Sequence, residues 1–374
     1  MKILMTADTV GGVWTYALEL SRALHGCGVD VVLATMGGHM SPEQRAECDR
    51  SRCAAVFESD FRLEWMDNPW TDLCKSSDWL LDIEAEIHPD VIHLNGYFHA
   101  ALPWSAPVLV VGHSCVLSWW QAVKDEPAPE SVWAKYRRRV ILGLRAADCV
   151  VAPSRAMLES IHKRYGVRAR DSVIPNARGS SLFVPGKKEN LILSAGRLWD
   201  EAKNILALDR VAKQLVWPVY VAGDCAAPEG AEGSFQPLDV KPLGKLSSAE
   251  IADWMARASI YCLPARYEPF GLSVLEAALS GCALVLGDIP SLRENWDGAA
   301  LFVASKNENG LAATLNSLPE DYSLRAELAD CARKRAADFS PQRMAEHYVE
   351  IYTALTRDRT APKPLRQEAS ACAS

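Results

Sequence analysis

No apolar run in the 374-residue sequence approaches the roughly 20 residues of a membrane-spanning helix; residues 108–112 and 283–287 are only strand-length. Basic residues are not in excess. The 40 Lys and Arg stand against 47 Asp and Glu, a formal net charge of −7, which argues against bulk electrostatic binding of nucleic acid. No Cys-x-x-C pair occurs among the 11 cysteines, which are odd in number and scattered from Cys27 to Cys372. That pattern disfavours a zinc ribbon or a disulfide framework and predicts reduced thiols. The histidines, including His93 and His99, lack metal-ligand spacing, so no metal site is expected. There is no internal repeat and no low-complexity tract. The opening Met1-Lys2-Ile3-Leu4-Met5-Thr6-Ala7-Asp8 reads as a strand reaching an acidic loop, without the longer apolar stretch and small-residue cleavage site of a secretory leader. A cytoplasmic protein is the expectation.

What is present is the balance of a soluble globular chain, 49% hydrophobic and 23% charged, long enough for two domains at about 100–200 residues each. Short apolar runs at 2–7, 30–34, 91–94, 108–111 and 149–152 alternate with helical stretches such as 13–25 and 79–87. Such alternation implies a parallel sheet covered on both faces. A helix follows Ser154 to about Tyr165. Pro/Gly-punctuated stretches at 172–176 and 183–186 mark a boundary, after which strands restart at 191–195, 219–222, 260–263 and 283–286. The predicted fold is α/β, with two Rossmann-like doubly wound domains facing across a cleft. The first covers 1–170 and is completed by an amphipathic helix at about 341–356; the second covers 171–340. A tail over 357–374 is expected to be disordered. Ligands of such sheets bind at the carboxyl ends of strands.

The most informative segment is Arg266-Tyr267-Glu268-Pro269-Phe270-Gly271-Leu272-Ser273-Val274-Leu275-Glu276-Ala277-Ala278. It follows a predicted strand, and Pro269-Phe270-Gly271 opens a helix whose free N–H groups at Gly271, Leu272 and Ser273 suit a phosphate. Glu276 falls within an apolar helical run, where a carboxylate is costly unless it is ion-paired or grips hydroxyls. In Ser194-Ala195-Gly196-Arg197-Leu198-Trp199-Asp200-Glu201-Ala202-Lys203, a lysine near a helix start opposes the macrodipole and calls for an anion. Asp200 or Glu201 could supply it. A diphosphate could too, with Arg197 offering a donor fork. Asp8-Thr9-Val10-Gly11-Gly12 joins the first strand to the first helix, as a tight turn or as a phosphate-approaching loop. His113 directly follows a strand, where a cleft-facing histidine is a functional candidate. Trp119, Trp120 and Tyr97 stand at strand ends and are candidates for stacking on an acceptor. The cluster Lys135, Arg137, Arg138, Arg139 reads as a solvated helix face or a peripheral contact with anionic lipid.

On the Glu-Pro-Phe-Gly-Leu-Ser-Val-Leu-Glu-Ala run, the Gly-Arg-Leu…Lys spacing and the N-terminal Gly-Gly loop, the sequence resembles the retaining glycosyltransferases of family 4, with the two-lobed GT-B fold. Glu268 and Glu276 match that family's Glu-x7-Glu signature. The resemblance implies that Glu276 holds the ribose of a nucleotide sugar. It places Glu268 and the Phe270–Leu272 backbone around the donor sugar and β-phosphate, and gives Arg197 and Lys203 the leaving diphosphate. Gly11 and Gly12 would touch the same diphosphate, and His113 the donor sugar. No cofactor or metal is implied, only a nucleotide sugar and an acceptor hydroxyl, with a front-face mechanism in which the leaving phosphate helps deprotonate the acceptor. The base is expected around Leu243–Leu246. A nucleotide-sugar epimerase or phosphorylase on the same scaffold, and a non-enzymatic two-lobed binder, are the alternatives. Donor, acceptor identity and oligomeric state carry no signature.

Overall fold

The computed structural model describes residues 1–168, 170–227 and 233–358. The chain divides into two compact units. One comprises Met1–Gln121, Glu126–Asn176 and the segment from Pro341; the other comprises Ala177–Ser340 with Ala122–Asp125.

In the first unit, seven parallel strands form one sheet: β1 (Lys2–Asp8), β2 (Asp30–Met36), β3 (Ala55–Glu58), β4 (Val91–Leu94), β5 (Val108–Val111), β6 (Cys149–Ala152) and β7 (Asp171–Val173), in the order β3-β2-β1-β4-β5-β6-β7. The strand order reverses between β1 and β4. The loops after these two strands therefore diverge and leave a crevice at their carboxyl ends.

The second unit repeats the plan with six parallel strands: β8 (Glu189–Ala195), β9 (Val219–Ala222), β10 (Lys241–Gly244), β11 (Ala258–Leu263), β12 (Ala283–Gly287) and β13 (Leu301–Val303), ordered β10-β9-β8-β11-β12-β13. Here the reversal lies between β8 and β11. Alternate strand residues feed two cores. Leu193, Tyr261, Leu263 and Leu284 pack to one side, and Ile192, Ile260, Cys262 and Val285 to the other. Burial on both faces explains why these strands read as continuous apolar runs.

Four strands were not expected from sequence: β3, β7, β10 and β13. All four are sheet edges, short and largely exposed or half-buried, so neither apolar continuity nor alternation marks them. One moves the boundary. Asp171–Val173 pairs with Val150–Ala152, so the first unit runs to Asn176, not to residue 170. The helix expected to begin at Trp79 begins at Trp70, because Ser76 and Ser77 sit on its buried face and interrupt the apolar period. Their hydroxyls donate back to the Leu73 carbonyl, at 3.1 and 2.7 Å.

The last helix, Pro341–Asp358, belongs to the first unit, where it packs on the helix Gly12–Gly26. Its fully buried Tyr348 and Tyr352 meet a polar cluster. Tyr16 donates to the Tyr348 hydroxyl at 2.7 Å, and His93 Nδ1 lies 2.6 Å from the Tyr352 hydroxyl. The expected tail beyond Asp358 lies outside the described residues.

Candidate active site

Both loops at the crevice of the second sheet carry the sequence-predicted residues. After β8 the backbone turns through Gly196. There Gly223 approaches so closely that a Cβ on it would stand 1.8 Å from the Gly196 carbonyl oxygen, which requires glycine. Asp200 is buried, accepts the Ala202 N–H at 3.0 Å and pairs with Arg197 Nη2 at 2.8 Å. The Arg197 guanidinium also lies 5.4 Å from the Trp199 ring centre and is 39% exposed, so one edge of its fork is open to a ligand.

Lys203 does not find its anion in Asp200 or Glu201. Its Nζ pairs with Glu268 Oε2, and both side chains are 13% exposed. The two loops are also joined by backbone, since Arg266 and Tyr267 N–H groups donate to the Ala202 carbonyl at 2.8 and 3.3 Å. The two motifs, sixty-odd residues apart in sequence, are thus one structure.

Past Glu268, Gly271 has φ +93°, a left-handed conformation that only glycine adopts without strain, and the helix Leu272–Leu279 begins. The N–H groups of Leu272 and Ser273 have no intrahelical acceptor there. Phe270 is buried, edge-on to Phe339 at 5.4 Å, so it contributes backbone and shape rather than an exposed ring. Beside the helix start, the buried Tyr261 donates its hydroxyl to the Ala195 carbonyl at 3.0 Å, fixing the end of β8 against β11. Glu276, one turn further on, is ion-paired: Oε1 lies 2.8 Å from Arg178 Nε. Leu243 and Leu246, expected near a base, are half-buried hydrophobics packed on the core of the same unit.

In the first unit, Gly11 (φ +84°) and Gly12 are exposed at the start of the helix Gly12–Gly26, whose first turn carries no acidic side chain. The helix Pro42–Asp49 braces this loop. Gln44 donates to the Thr9 carbonyl at 2.8 Å, and Trp14 donates to Glu47 at 3.0 Å.

His113 stands after β5 with Nε2 2.8 Å from Asn95 Oδ1, in a loop following β4. The Asn95 amide nitrogen donates to the Thr6 carbonyl, which turns its oxygen toward the histidine. Nε2 therefore carries the proton, and Nδ1 is left as an acceptor. The ring lies edge-on to Tyr16 at 4.4 Å, and desolvation holds its pKa down to about 3, so the imidazole is neutral. His93 behind it is likewise held to about 3 by burial and by the neighbouring His113.

Tyr97 is not an acceptor platform. It is 3% exposed, and its hydroxyl donates to the Ser114 carbonyl at 2.8 Å. Trp119 and Trp120 are half-buried and edge-to-face at 6.1 Å. In the basic cluster, Lys135 lies over Trp70 at 4.6 Å and Arg139 near Phe98 at 5.7 Å, while Arg137 and Arg138 are exposed.

Three site residues were missed from sequence. Arg178 follows the Pro175-Asn176 linker, and Asn95 opens the loop at the carboxyl end of β4; that position was a usable signal for Asn95. Glu64 accepts the N–H groups of Tyr97 and Phe98, the latter at 2.7 Å, and burial pushes its pKa up to about 7. Among the described residues, no three His, Cys, Asp or Glu side chains group as a metal site. No helix among them is long and apolar enough to cross a membrane.

Two doubly wound units, each with its crevice at a strand-order reversal, define an α/β protein of GT-B fold. The sucrose-phosphate synthase of Thermosynechococcus elongatus superposes with a TM-score of 0.80 at 18% identity, covering 96% of this chain and 100% of that one. Anabaena HepE, solved in complex with UDP-glucose, gives 0.75 at 18% identity, covering 95% and 100%. Residues 10–178 match the model of Glycosyltransferase Family 4, and residues 189–321 that of Glycosyl transferases group 1. The D-inositol 3-phosphate glycosyltransferase of Kineococcus radiotolerans is 23% identical over 94% of this chain and 92% of that protein. The glycogen synthase of Mycobacterium tuberculosis is 35% identical over 33% of this chain and 30% of that protein. The chain belongs to the GT4-like glycosyltransferases of GT-B fold.

Proposed function

We propose that this glycosyltransferase takes a hexosyl group from a nucleoside diphosphate sugar and transfers it, with retention at the anomeric carbon and without a metal, to an acceptor hydroxyl. The observation that carries the reading is the joined pair of loops in the second unit. Arg197, Lys203 and the open N–H groups of Leu272 and Ser273 are gathered at the carboxyl ends of β8 and β11. Departure of the diphosphate from an oxocarbenium-like carbon builds negative charge on the leaving oxygen. Fixed donors aimed at that charge lower the barrier, because they bind it more strongly in the transition state than in the ground state.

Lys203 is held by Glu268, so its cation is oriented before substrate arrives, and Glu268 acts as a positioning residue rather than a nucleophile. Glu276 would grip the ribose hydroxyls while keeping Arg178 as partner. The neutral Nδ1 of His113 would accept a hydrogen bond from a donor-sugar hydroxyl, and the Gly11-Gly12 loop would approach the diphosphate. In a front-face reaction the leaving phosphate takes the acceptor proton, so no carboxylate need bond to carbon.

HepE is described with UDP-glucose, which makes UDP sugars the first donors to try. Melting shifts with UDP, GDP and ADP sugars select the donor, since only a ligand of the native state stabilises it. Proton NMR of the product then reads the anomer. An inverted anomer defeats the retaining assignment, and the lack of any donor-dependent shift or turnover defeats the nucleotide-sugar reading.

A further inference from the structure

A cavity of about 280 Å³ lies within the first unit, walled by Leu117, Glu130, Trp133, Arg137, Lys163 and Arg164. Its size is near the lower end of ligand sites, about 300–1,000 Å³. Three cations face one carboxylate, and Glu130 reaches Arg137 at 3.5 Å. Donors outnumber acceptors in a further way. Trp133 Nε1 and Arg164 Nε are buried and have no hydrogen-bond partner among the described residues. The same holds for Nε1 of Trp120, whose ring lies 6.4 Å from that of Trp133. Arg164 Nη1 meets Gln121 only at 3.5 Å.

Cations in the last turn of the helix Arg155–Tyr165 complement its dipole. That effect needs neither a buried guanidinium Nε nor an orphaned indole donor on another lining residue. Buried donors without acceptors are uncommon because each has given up its hydrogen bonds to water. A ligand rich in acceptor oxygens and negative charge answers the lining residues Lys163, Arg164 and Trp133 together.

We propose that this cavity binds a phosphate ester, with Arg164 supplying a planar fork, Lys163 a point charge and Trp133 an indole N–H. The ligand is a small phosphorylated molecule, either a soluble polyol or sugar phosphate or the headgroup of a phosphomonoester lipid. Its role as the anchor of the acceptor rests on the function proposed above; the binding itself does not.

Calorimetry at low ionic strength, with inorganic phosphate and with glycerol 3-phosphate as probes, reads the site directly. Wild-type protein should bind both saturably. The Arg164→Gln/Lys163→Gln double variant should bind about tenfold or more weakly, the scale of one lost charge-assisted bond. Trp133→Phe keeps a ring and removes the N–H, and should bind several-fold more weakly. No saturable binding by wild type, or unchanged binding by the double variant at an unchanged melting temperature, overturns the proposal.

Flotation with phosphatidylcholine vesicles, with and without phosphatidic acid, separates the sources. Retention on phosphatidic acid that glycerol 3-phosphate cannot compete away identifies the lipid, and full competition identifies the soluble ester. In either case the double variant must lose it. UDP binding is measured on the same samples. UDP bound without phosphate defeats this inference alone, whereas phosphate bound without UDP defeats the donor reading alone.

Discussion

Glu276 and Arg178 are ion partners 2.8 Å apart within the second unit, 13% and 12% exposed, although the carboxylate sits in an otherwise apolar helical run. A carboxylate held in this way is oriented in advance for the ribose of the proposed donor. Glu276→Ala should weaken nucleotide binding about 10–100-fold, the scale of one hydrogen bond to a charged group, and also lower stability by about 1–3 kcal/mol, because Arg178 loses this partner. The double variant Arg178→Met/Glu276→Met should recover the melting temperature but not the affinity. Calorimetry with UDP on both variants checks this. Affinity restored together with stability would reduce the pair to a structural one.

Arg197→Ala and Lys203→Ala should lower turnover by on the order of 10²–10³ while changing affinity for the intact donor far less, because charge develops on the leaving oxygen only as the bond breaks. Lys203→Ala should also lower the melting temperature, since Glu268 is then left without its cation. Arg197→Ala should lower it as well, since the buried Asp200 loses this cation. Donor affinity, turnover and melting on both variants decide the matter. Near-normal turnover in either removes that cation from the clamp.

If the proposed function holds, activity should persist in excess EDTA, because Arg197, Lys203 and the helix N–H groups would neutralise the leaving diphosphate without a metal. Loss of activity in chelator, restored by magnesium or manganese, would show that a metal does this work instead.

Burial depresses three histidines, His93 and His113 to about 3 and His99 to about 4, while Glu64 is raised to about 7. Between about pH 4.5 and 6 the unfolded chain binds protons on three histidines that the folded chain refuses. In the same window the folded chain keeps one proton on Glu64 that the unfolded chain releases. The difference is 3 − 1, about two protons, so stability should rise with pH across this window. The histidine contribution levels off only about one unit above the unfolded-state value, near pH 7.5, and until then it outweighs the opposing effect of Glu64, so the rise flattens rather than reverses. Urea midpoints against pH measure the slope, and His99→Gln should reduce it by about one proton. A flat profile from pH 4.5 to 6 would contradict the buried neutral histidines. For the same reason the pH–rate profile should contain no ionisation near 6.5 belonging to His113.

The central strands of both sheets were legible because burial on two faces leaves short apolar runs, alternating along the chain with longer helical stretches. The edge strands were not, because half their surroundings is solvent. Glu268, Lys203 and Arg197 were recognisable as a motif, but not their pairing. That Lys203 meets Glu268 and not Asp200 depends on β8 and β11 being neighbours, a fact of topology rather than spacing. Arg178 was invisible for a related reason, since its partner lies 98 positions away. Tyr97 was misjudged because an aromatic residue at a strand end can turn inward, as it does here toward the Ser114 carbonyl.

The hydrogen bond between His93 and Tyr352 spans 259 positions of chain. The second unit is contiguous from Ala177 to Ser340 apart from one four-residue segment, so a nascent polypeptide has all but finished that unit before the first has received its last helix. Until Pro341–Asp358 emerges, His93 and Tyr16 on the earlier-made sheet and helix lack their tyrosine partners. The order in which the units can be completed during translation is thereby the reverse of the order in which they begin. A ribosome stalled before Pro341–Asp358 emerges would hold the second unit complete and the first still unsealed.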